Sequence, residues 1–306
     1  DKFLKDLTMT IKNVAILSPG EMGAATGKAF QDSGFNIITA LEGRSTITCR
    51  RAADAGFRDC GSITAVLAEA DIVFSILPPG DALAQAEIIA TEMKETGLAP
   101  LYFDCNAVSP ETASKIGAVI EGAGADYIDG GIVGNPPGAS VPTRFFVSGS
   151  GAEKMNIFDG CGIEVKQCGV TAGTASAIKM CYAGITKGTS ALHAAVLMAA
   201  EKLNVSEELH NELIYSQADI YKRMEAMTPA LPAVSDRYIG EMEEIAKTLR
   251  SIAMPPGFHQ GAADLYRLMT KSPFAAEIRE TVDKNRTMRQ TITGCAAVIG
   301  KKEVAE

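Results

Sequence analysis

The stretch Val14-Ala15-Ile16-Leu17-Ser18-Pro19-Gly20-Glu21-Met22-Gly23 decides the fold, because an apolar run ends there in a turn that contains two glycines. Residues 23–32 then have the composition of a helix, and Gly34 follows as its stop signal. A short apolar run, a tight turn and a helix in this order predict the first β-strand and first helix of an α/β fold.

The turn resembles the dinucleotide-binding fingerprint G-x-G-x-x-G, which lies between a strand and a helix. Ser18 stands at the first glycine position, while Gly20 and Gly23 hold the second and third. Gly20 would let the backbone approach a pyrophosphate, and Gly23 would let the helix pack against the strand. The alternative is a tight turn without a ligand. The predicted cofactor-binding residues of this turn are Ser18, Pro19, Gly20, Glu21, Met22 and Gly23.

Outward from the turn, short apolar runs alternate with helix-like segments as far as about residue 165. The predicted strands after the first are residues 35–41, 71–77, 101–104, 126–129 and 144–147. Near-continuous apolar strands separated by helices indicate a mainly parallel sheet covered on both faces. The sequence therefore predicts the α/β class, with a Rossmann-type doubly wound sheet at the N-terminus.

The pattern changes near residue 170. Residues 171–203 contain no proline and many small residues, which predicts a long helix buried between layers or subunits. More helices are predicted at residues 206–226, 236–252, 261–270 and 273–289, with Ser206 as an N-cap. The predicted division is a dinucleotide-binding domain at residues 9–168 and an all-α substrate and dimerisation domain at residues 169–306.

Composition excludes several classes. The 306 residues are 46% hydrophobic and 22% charged, and their net charge of -8 argues against a nucleic-acid partner. The longest apolar runs are too short to cross a bilayer, and the first twelve residues have no apolar signal core. Seven cysteines without a C-x-x-C pair favour reduced thiols in a cytoplasmic enzyme over disulfides or a metal site. Residues 1–8, which precede Met9, are set aside as an extension.

The residues after the second strand bear on the choice between NAD and NADP. Glu42 could bind the ribose hydroxyls of NAD. Arg44 and Ser45 could instead bind a 2′-phosphate, and Arg50 and Arg51 add positive charge nearby. We favour NADP as the cofactor, and NAD is the second possibility. The plainer interpretation of Arg44 is an ordinary solvent-exposed charge in a loop.

Several motifs, taken in their order along the chain, resemble those of the β-hydroxyacid dehydrogenase and 6-phosphogluconate dehydrogenase superfamily. Gly20-Glu21-Met22-Gly23 matches the second half of its opening turn, and Leu77-Pro78 matches the pair that ends its fourth strand beside the cofactor. Asp104-Cys105-Asn106-Ala107-Val108-Ser109-Pro110 matches a later motif, with Asn106 where the family usually has a serine near the nicotinamide ribose. The resemblance implies that Leu77, Pro78 and Asn106 bind the cofactor.

The resemblance also implies a catalytic lysine at the start of the long helix. Gly173-Thr174-Ala175-Ser176-Ala177-Ile178-Lys179-Met180 has the family's form, so Lys179 is the predicted general acid/base. A lysine can exchange the hydroxyl proton when burial and nearby positive charge lower its pKa toward neutrality. The segment Arg237-Tyr238-Ile239-Gly240-Glu241-Met242-Glu243-Glu244-Ile245-Ala246 is similar to one in a sub-branch of the superfamily whose C-terminal domain was long of unknown function.

Two departures from the family concern the substrate. Ala183 replaces the usual asparagine four residues after the lysine, and Tyr182 could supply the missing hydroxyl or simply pack. Val133 replaces the serine of the family's substrate-carboxylate loop, which puts a simple 3-hydroxy acid in doubt. The predicted substrate-binding residues are Gly131, Ile132, Val133, Tyr182 and His259, the last of them expected in a loop.

The sequence thus favours an NADP-dependent oxidoreductase that acts on a small polar alcohol or carbonyl compound resembling a hydroxy acid. Reduction of a C=N bond is a second hypothesis, because imine reductases share a similar two-domain plan. A non-catalytic dinucleotide-binding protein is a third, since the family asparagine is missing. The resemblance further implies a homodimer formed through the helical domain.

Overall fold

A computed structural model describes residues 11–300 of the chain. Its single described sheet has eight strands in the order β3-β2-β1-β4-β5-β6-β7-β8, and all neighbours are parallel except β6 and β7. The strands are β1 (Asn13–Leu17), β2 (Asn36–Thr39), β3 (Arg58–Asp59), β4 (Ile72–Ser75), β5 (Leu101–Asp104), β6 (Tyr127–Val133), β7 (Thr143–Ser148) and β8 (Ile163–Gln167).

Five helices alternate with the first six strands. They are α1 (Glu21–Asp32), α2 (Thr46–Asp54), α3 (Ile63–Glu69), α4 (Ala82–Thr96) and α5 (Pro110–Glu121). Successive side chains of β1 go to opposite faces: Val14 and Ile16 pack with Phe30 of α1, whereas Ala15 and Leu17 pack with residues of α3, α4 and α5. Because both faces are covered, the central strands β1, β4 and β5 are mostly apolar, whereas the edge strands β3 and β8 carry charged residues.

The topology confirms the predicted α/β class with its Rossmann-type sheet. The chain moves outward from β1 to β2 and β3, then returns to β4 on the other side of β1. This reversal leaves a crevice at the carboxyl ends of β1 and β4, which is where ligands bind in open α/β sheets. The loops after β1, β2 and β4 all open at this edge.

The C-terminal part is all-helical, as predicted. Its helices are α6 (Thr174–Leu203), α7 (Ser206–Ser216), α8 (Ala218–Met227), α9 (Pro232–Ser251), α10 (Gly257–Met269) and α11 (Met288–Ala296). The single helix predicted over residues 206–226 is wrong, because Gln217 leaves helical geometry at φ -138° and ψ 41° and separates α7 from α8. Ser206 is not an N-cap either: Val205 holds that place, and the Ser206 hydroxyl donates to Glu201 Oε2 at 2.9 Å.

The helix predicted over residues 273–289 is also wrong. Turns occupy most of this segment, and α11 begins only at Met288 after Thr287 caps it. Arg286 stabilises the non-helical path, because its guanidinium pairs with Glu277, donates to the Pro229 carbonyl and lies 4.0 Å from the centre of the Phe274 ring. Such contacts between distant segments override local helix propensity.

Two compact units make up the chain, one ending at Tyr182 and the other beginning at Ala183, so the division falls within α6. The domain boundary predicted between residues 168 and 169 stays a prediction. The outer limits of the two predicted domains, at Met9 and Glu306, lie outside the described residues.

None of the helices in residues 11–300 combines the length and the apolar character that a membrane crossing requires. Within that range no three His, Cys, Asp or Glu side chains are grouped as metal ligands.

Candidate active site

The turn after β1 has the shape of a phosphate cradle. Ser18, at the first glycine position of the fingerprint, has a φ of +53°, a left-handed conformation that glycine adopts without strain. A Cβ added to Gly20 would meet no atom within 4 Å, whereas one added to Gly23 would lie 3.2 Å from Ile16 Cγ2. The backbone at Gly20 is therefore open to a ligand, and Gly23 allows α1 to lie close to β1. In the described structure no side chain caps α1 at Gly20.

The loop after β2 carries Arg44 toward this crevice. Arg44 Nη2 donates to Gln85 Oε1 on α4 at 2.8 Å. Ser45 is the N-cap of α2, where its hydroxyl accepts from the Thr48 N–H at 3.2 Å. Glu42 is exposed and comes three residues after the last residue of β2. The predicted Arg44 and Ser45 thus lie together at the N-terminus of α2, where an anion is favoured.

Asn106 connects the ends of β4 and β5. Its side chain accepts from the Leu77 N–H at 2.6 Å and donates both to Ser75 Oγ, at 2.9 Å, and to Asp104. Asn106 is buried, and Pro78 beside Leu77 is exposed at the carboxyl edge of the sheet. The predicted cofactor residues Leu77, Pro78 and Asn106 are therefore brought together, with Asn106 fixing the path of the Leu77-Pro78 backbone.

Asp104 lies at the end of β5 in a fully enclosed position. Its burial, aided by the charge of Asp129, raises the pKa of Asp104 to about 7 from an ordinary value of 3.8. A group whose pKa is raised by folding stabilises the fold fully below its unfolded value, and this contribution is lost as the pH rises through the folded value. Asp104 should therefore favour folding in acid and disfavour it at neutral to basic pH.

We expect Asp104→Asn, which cannot ionise, to gain stability relative to the unsubstituted chain as the pH rises. Between about pH 5 and about pH 8 the difference in free energy of unfolding should grow by about 2 kcal/mol in favour of the variant. Denaturant titrations at several pH values measure this, with the exposed Asp54→Asn on α2 as the control. A difference that stays constant with pH would show that Asp104 is ionised throughout.

Asp129 in β6 anchors the start of α6. Its carboxylate accepts from the Gly173 N–H at 2.9 Å, the Ser176 N–H at 3.1 Å and the hydroxyls of Ser176 and Ser148 at 2.5 and 2.7 Å. Asp129 is completely buried, so these four donors replace its hydration. A carboxylate at a helix N-terminus also interacts favourably with the helix dipole. The first turn of α6 is therefore fixed against β6 and β7.

Lys179 follows one turn later and extends back to the same strand. Its Nζ donates to the Ile132 carbonyl at 2.6 Å, and the residue is half-buried. A Cβ on Gly131 would lie 2.6 Å from the Ala175 carbonyl and 2.9 Å from Lys179 Cβ, so only glycine allows α6 this close to β6. The structure thus brings Lys179, the predicted acid/base, beside Gly131 and Ile132, which are predicted to bind substrate. Val133 is buried, and Tyr182 is 43% exposed.

In the helical unit, His259 lies in α10, so the expected loop position is wrong: Pro255 and Pro256 precede the helix and start it. His259 Nε2 lies 3.3 Å from the Gly184 carbonyl, and a Cβ on Gly184 or Gly188 would come within 3.2 Å of that nitrogen. The ring therefore packs in a notch made by these glycines of α6. Contact of His259 with a substrate stays a prediction.

Sequence reasoning missed Lys187. Its ammonium forms an ion pair with the buried Glu241 of α9 and lies 4.9 Å from the centre of the Tyr238 ring. Burial lowers the pKa of Lys187, and the charge of Glu241 opposes that shift. Arg237, also on α9, places its Nε 3.8 Å from Glu241 Oε1. The available signal was a second lysine, two turns after Lys179, on a helix of small and apolar residues.

The fold and the cradle define a dinucleotide-binding protein, and comparison with known proteins agrees. Residues 13–169 match the NAD binding domain of 6-phosphogluconate dehydrogenase, and residues 200–269 match a domain of unknown function, DUF1932. The chain belongs to this 6-phosphogluconate dehydrogenase-like family, and its N-terminal part is an NAD(P)-binding domain. Both halves of the resemblance found in the sequence are confirmed.

Several known proteins are similar to the chain. A probable 3-hydroxyisobutyrate dehydrogenase of Mycobacterium tuberculosis is 25% identical over 201 residues, which cover 64% of this chain and 66% of that protein, slightly under two thirds of its length. The structure of M. tuberculosis 3-hydroxyisobutyrate dehydrogenase with L-serine is 18% identical, with a TM-score of 0.62 over 92% of this chain and 98% of that one. A reductive aminase from Aspergillus terreus in complex with NADPH and ethyl levulinate is 18% identical, with a TM-score of 0.53 over 95% and 99%. At these identities the structural likenesses show the fold.

Proposed function

We propose that the chain is an NADP-dependent oxidoreductase that transfers a hydride between nicotinamide and a small polar alcohol or carbonyl compound. The hydrogen bond from Lys179 Nζ to the Ile132 carbonyl supports this proposal most directly. This bond holds the Lys179 ammonium beside Gly130 and Gly131 of β6. Lys179 lies on α6, and Asp129 anchors the start of that helix. Membership of a dehydrogenase-like family supports a dehydrogenase or reductase in general.

In this proposal the bound nicotinamide supplies or accepts the hydride, and Lys179 handles the proton. In the reductive direction the ammonium of Lys179 donates a hydrogen bond to the substrate carbonyl and then a proton to the forming alkoxide. In the oxidative direction the neutral amine takes the hydroxyl proton. The Ile132 carbonyl orients the amine for both steps, and the backbone of Gly131 and Ile132, together with Tyr182, contributes to substrate binding.

The residues that follow β2 are the reason for proposing NADP rather than NAD as the cofactor. The strand ends at Thr39, and the two residues directly after it, Ala40 and Leu41, carry no carboxylate for the ribose hydroxyls. The neighbouring Asp59 carboxylate accepts from the Leu41 N–H at 3.2 Å. Arg44 and Ser45 lie a few residues further on, at the N-terminus of α2. A guanidinium, a hydroxyl and a helix N-terminus are the groups that bind a phosphate.

A parallel assay of carbonyl and imine substrates tests the reaction class. The panel contains small aldehydes, keto acids and cyclic imines, each with NADPH, with NADPH consumption as the readout. Turnover of carbonyl compounds supports the proposal. The similarity to a reductive aminase keeps C=N reduction as the second candidate, and turnover confined to imines would favour it. Tight NADPH binding without turnover of any compound would indicate a dinucleotide-binding protein without catalysis.

A homodimer formed through α6 is part of the proposal. Ile185, Leu192, Val196 and Leu203 are large, apolar and exposed, and their spacing of seven, four and seven residues puts them on one stripe of this helix. A stripe of this kind typically marks a protein interface.

Light scattering of the unsubstituted chain should therefore give twice the mass of one chain. We expect Leu192→Glu to give a single-chain mass, because a charge in the stripe would be desolvated on association. Ile88→Glu, which adds the same charge to an exposed residue of α4, should stay dimeric. A monomeric unsubstituted chain would rule the dimer out.

A further inference from the structure

Gln85 is a nearly enclosed polar side chain whose partner lies across the dinucleotide crevice. It lies on α4, is only 7% exposed and accepts the Arg44 guanidinium at 2.8 Å. Arg44 belongs to the loop after β2, and α4 follows β4, while β1 lies between these two strands. The hydrogen bond therefore joins the loop after β2 to the helix after β4, and the strand that leads into the phosphate turn lies between them.

The amide of Gln85 suits this position better than other side chains of similar size. Its helical neighbours Ala82, Ala86 and Ile89 are buried and apolar, so an amide without a partner would be costly. A leucine would leave the Arg44 guanidinium without this hydrogen-bond acceptor. A glutamate would hold the guanidinium but would also cancel its charge. Glutamine fixes the direction of the guanidinium and leaves its positive charge intact.

We infer that Gln85 is a specificity-determining residue that positions Arg44 for the 2′-phosphate of NADP. The inference rests on the proposed function, in which NADP is the cofactor. A guanidinium has five N–H donors in a rigid fork, and Gln85 takes one of the donors on Nη2. An arginine that is already oriented loses less side-chain entropy when it binds a phosphate. NADPH benefits from this orientation, and NADH, which has no 2′-phosphate, does not.

The test is the ratio of two dissociation constants, those of NADPH and NADH, measured by titration of the nucleotide fluorescence without any substrate. Gln85→Glu should raise the Kd of NADPH about tenfold, because the new carboxylate pairs with Arg44 and repels the phosphate. The Kd of NADH should change less than about twofold. Gln85→Leu should raise the Kd of NADPH about threefold, because Arg44 then loses this hydrogen-bond acceptor. Damage to the fold would weaken both nucleotides alike and would leave the ratio unchanged.

Two controls separate this inference from the proposed function. Gln260→Glu introduces the same charge on an exposed residue of α10 and should leave both constants unchanged. Arg44→Gln should remove the preference for NADPH. An unsubstituted chain that binds NADH as tightly as NADPH would overturn the NADP proposal and the inference with it. A chain that prefers NADPH through Arg44, and keeps that preference in Gln85→Glu, would overturn the inference alone.

Discussion

Replacing Lys179 with alanine should lower turnover about a thousandfold, because general acid/base groups commonly contribute two to four orders of magnitude. The Kd of NADPH should change by less than about twofold, since Lys179 bonds to β6 and not to the phosphate turn after β1. Turnover with the best substrate of the panel and the fluorescence titration of NADPH measure the two effects separately. A methylammonium salt added to the assay should restore part of the activity, because a free amine can occupy the space that the side chain leaves.

Lys202→Ala is the matched control, because Lys202 is exposed near the end of the same helix. It should keep full turnover. If Lys179→Ala also kept near-normal turnover, Lys179 would not be the acid/base group. The absence of the family asparagine at position 183 would then favour a dinucleotide-binding protein without catalysis. Ala183 is buried and has no polar group to replace that asparagine.

Replacing Asp129 with alanine should lower the free energy of unfolding by roughly 3–5 kcal/mol, because four buried donors lose their acceptor at once. Two of those donors are backbone N–H groups at Gly173 and Ser176, which would be left at the start of α6 without this partner. The midpoint of denaturant unfolding measures the loss. Turnover should also fall, because Lys179 depends on the position of this helix.

Asp129→Asn is the informative partner variant. The asparagine oxygen has two lone pairs for the three donors that share Asp129 Oδ2, and its amide can donate to the Ser176 hydroxyl, which then acts as the acceptor, so most of the hydrogen bonds are kept. We therefore expect a loss of only about 1 kcal/mol from this substitution. A loss as large as that of the alanine variant would mean that the negative charge at the helix N-terminus, rather than the hydrogen bonds, stabilises the arrangement.

The sequence predicted most of the N-terminal fold because its signals are local. Strand β5 was predicted with its observed ends, and Lys179 was placed on the correct helix. The apolar runs and the glycine turn depend on neighbouring residues only. The predicted helix over residues 273–289 failed for the opposite reason, since Arg286 binds the Pro229 carbonyl 57 positions away.

The supporting parts of the candidate site were not predicted, because each depends on a partner distant in sequence. Asp129 and Ser176 are 47 positions apart, and Arg44 and Gln85 are 41 apart. Val133 was recognised in the sequence as part of a substrate-carboxylate loop, whereas the carboxylate of Asp129, four residues earlier, binds the start of α6. Sequence patterns identified the residue types, and the topology of the sheet determined their partners.

Isotope transfer measures whether this chain transfers hydride from a nicotinamide with the help of Lys179, as proposed above. The chain is mixed with NADPH deuterated at the transferring C4 position and with the carbonyl panel, and the products are examined by mass spectrometry. We expect one deuterium in the alcohol formed by the unsubstituted chain and about a thousandfold less product from Lys179→Ala at equal NADPH occupancy. Deuterium transfer at the unsubstituted rate by Lys179→Ala, or no transfer to any compound by a chain that binds NADPH tightly, would contradict it.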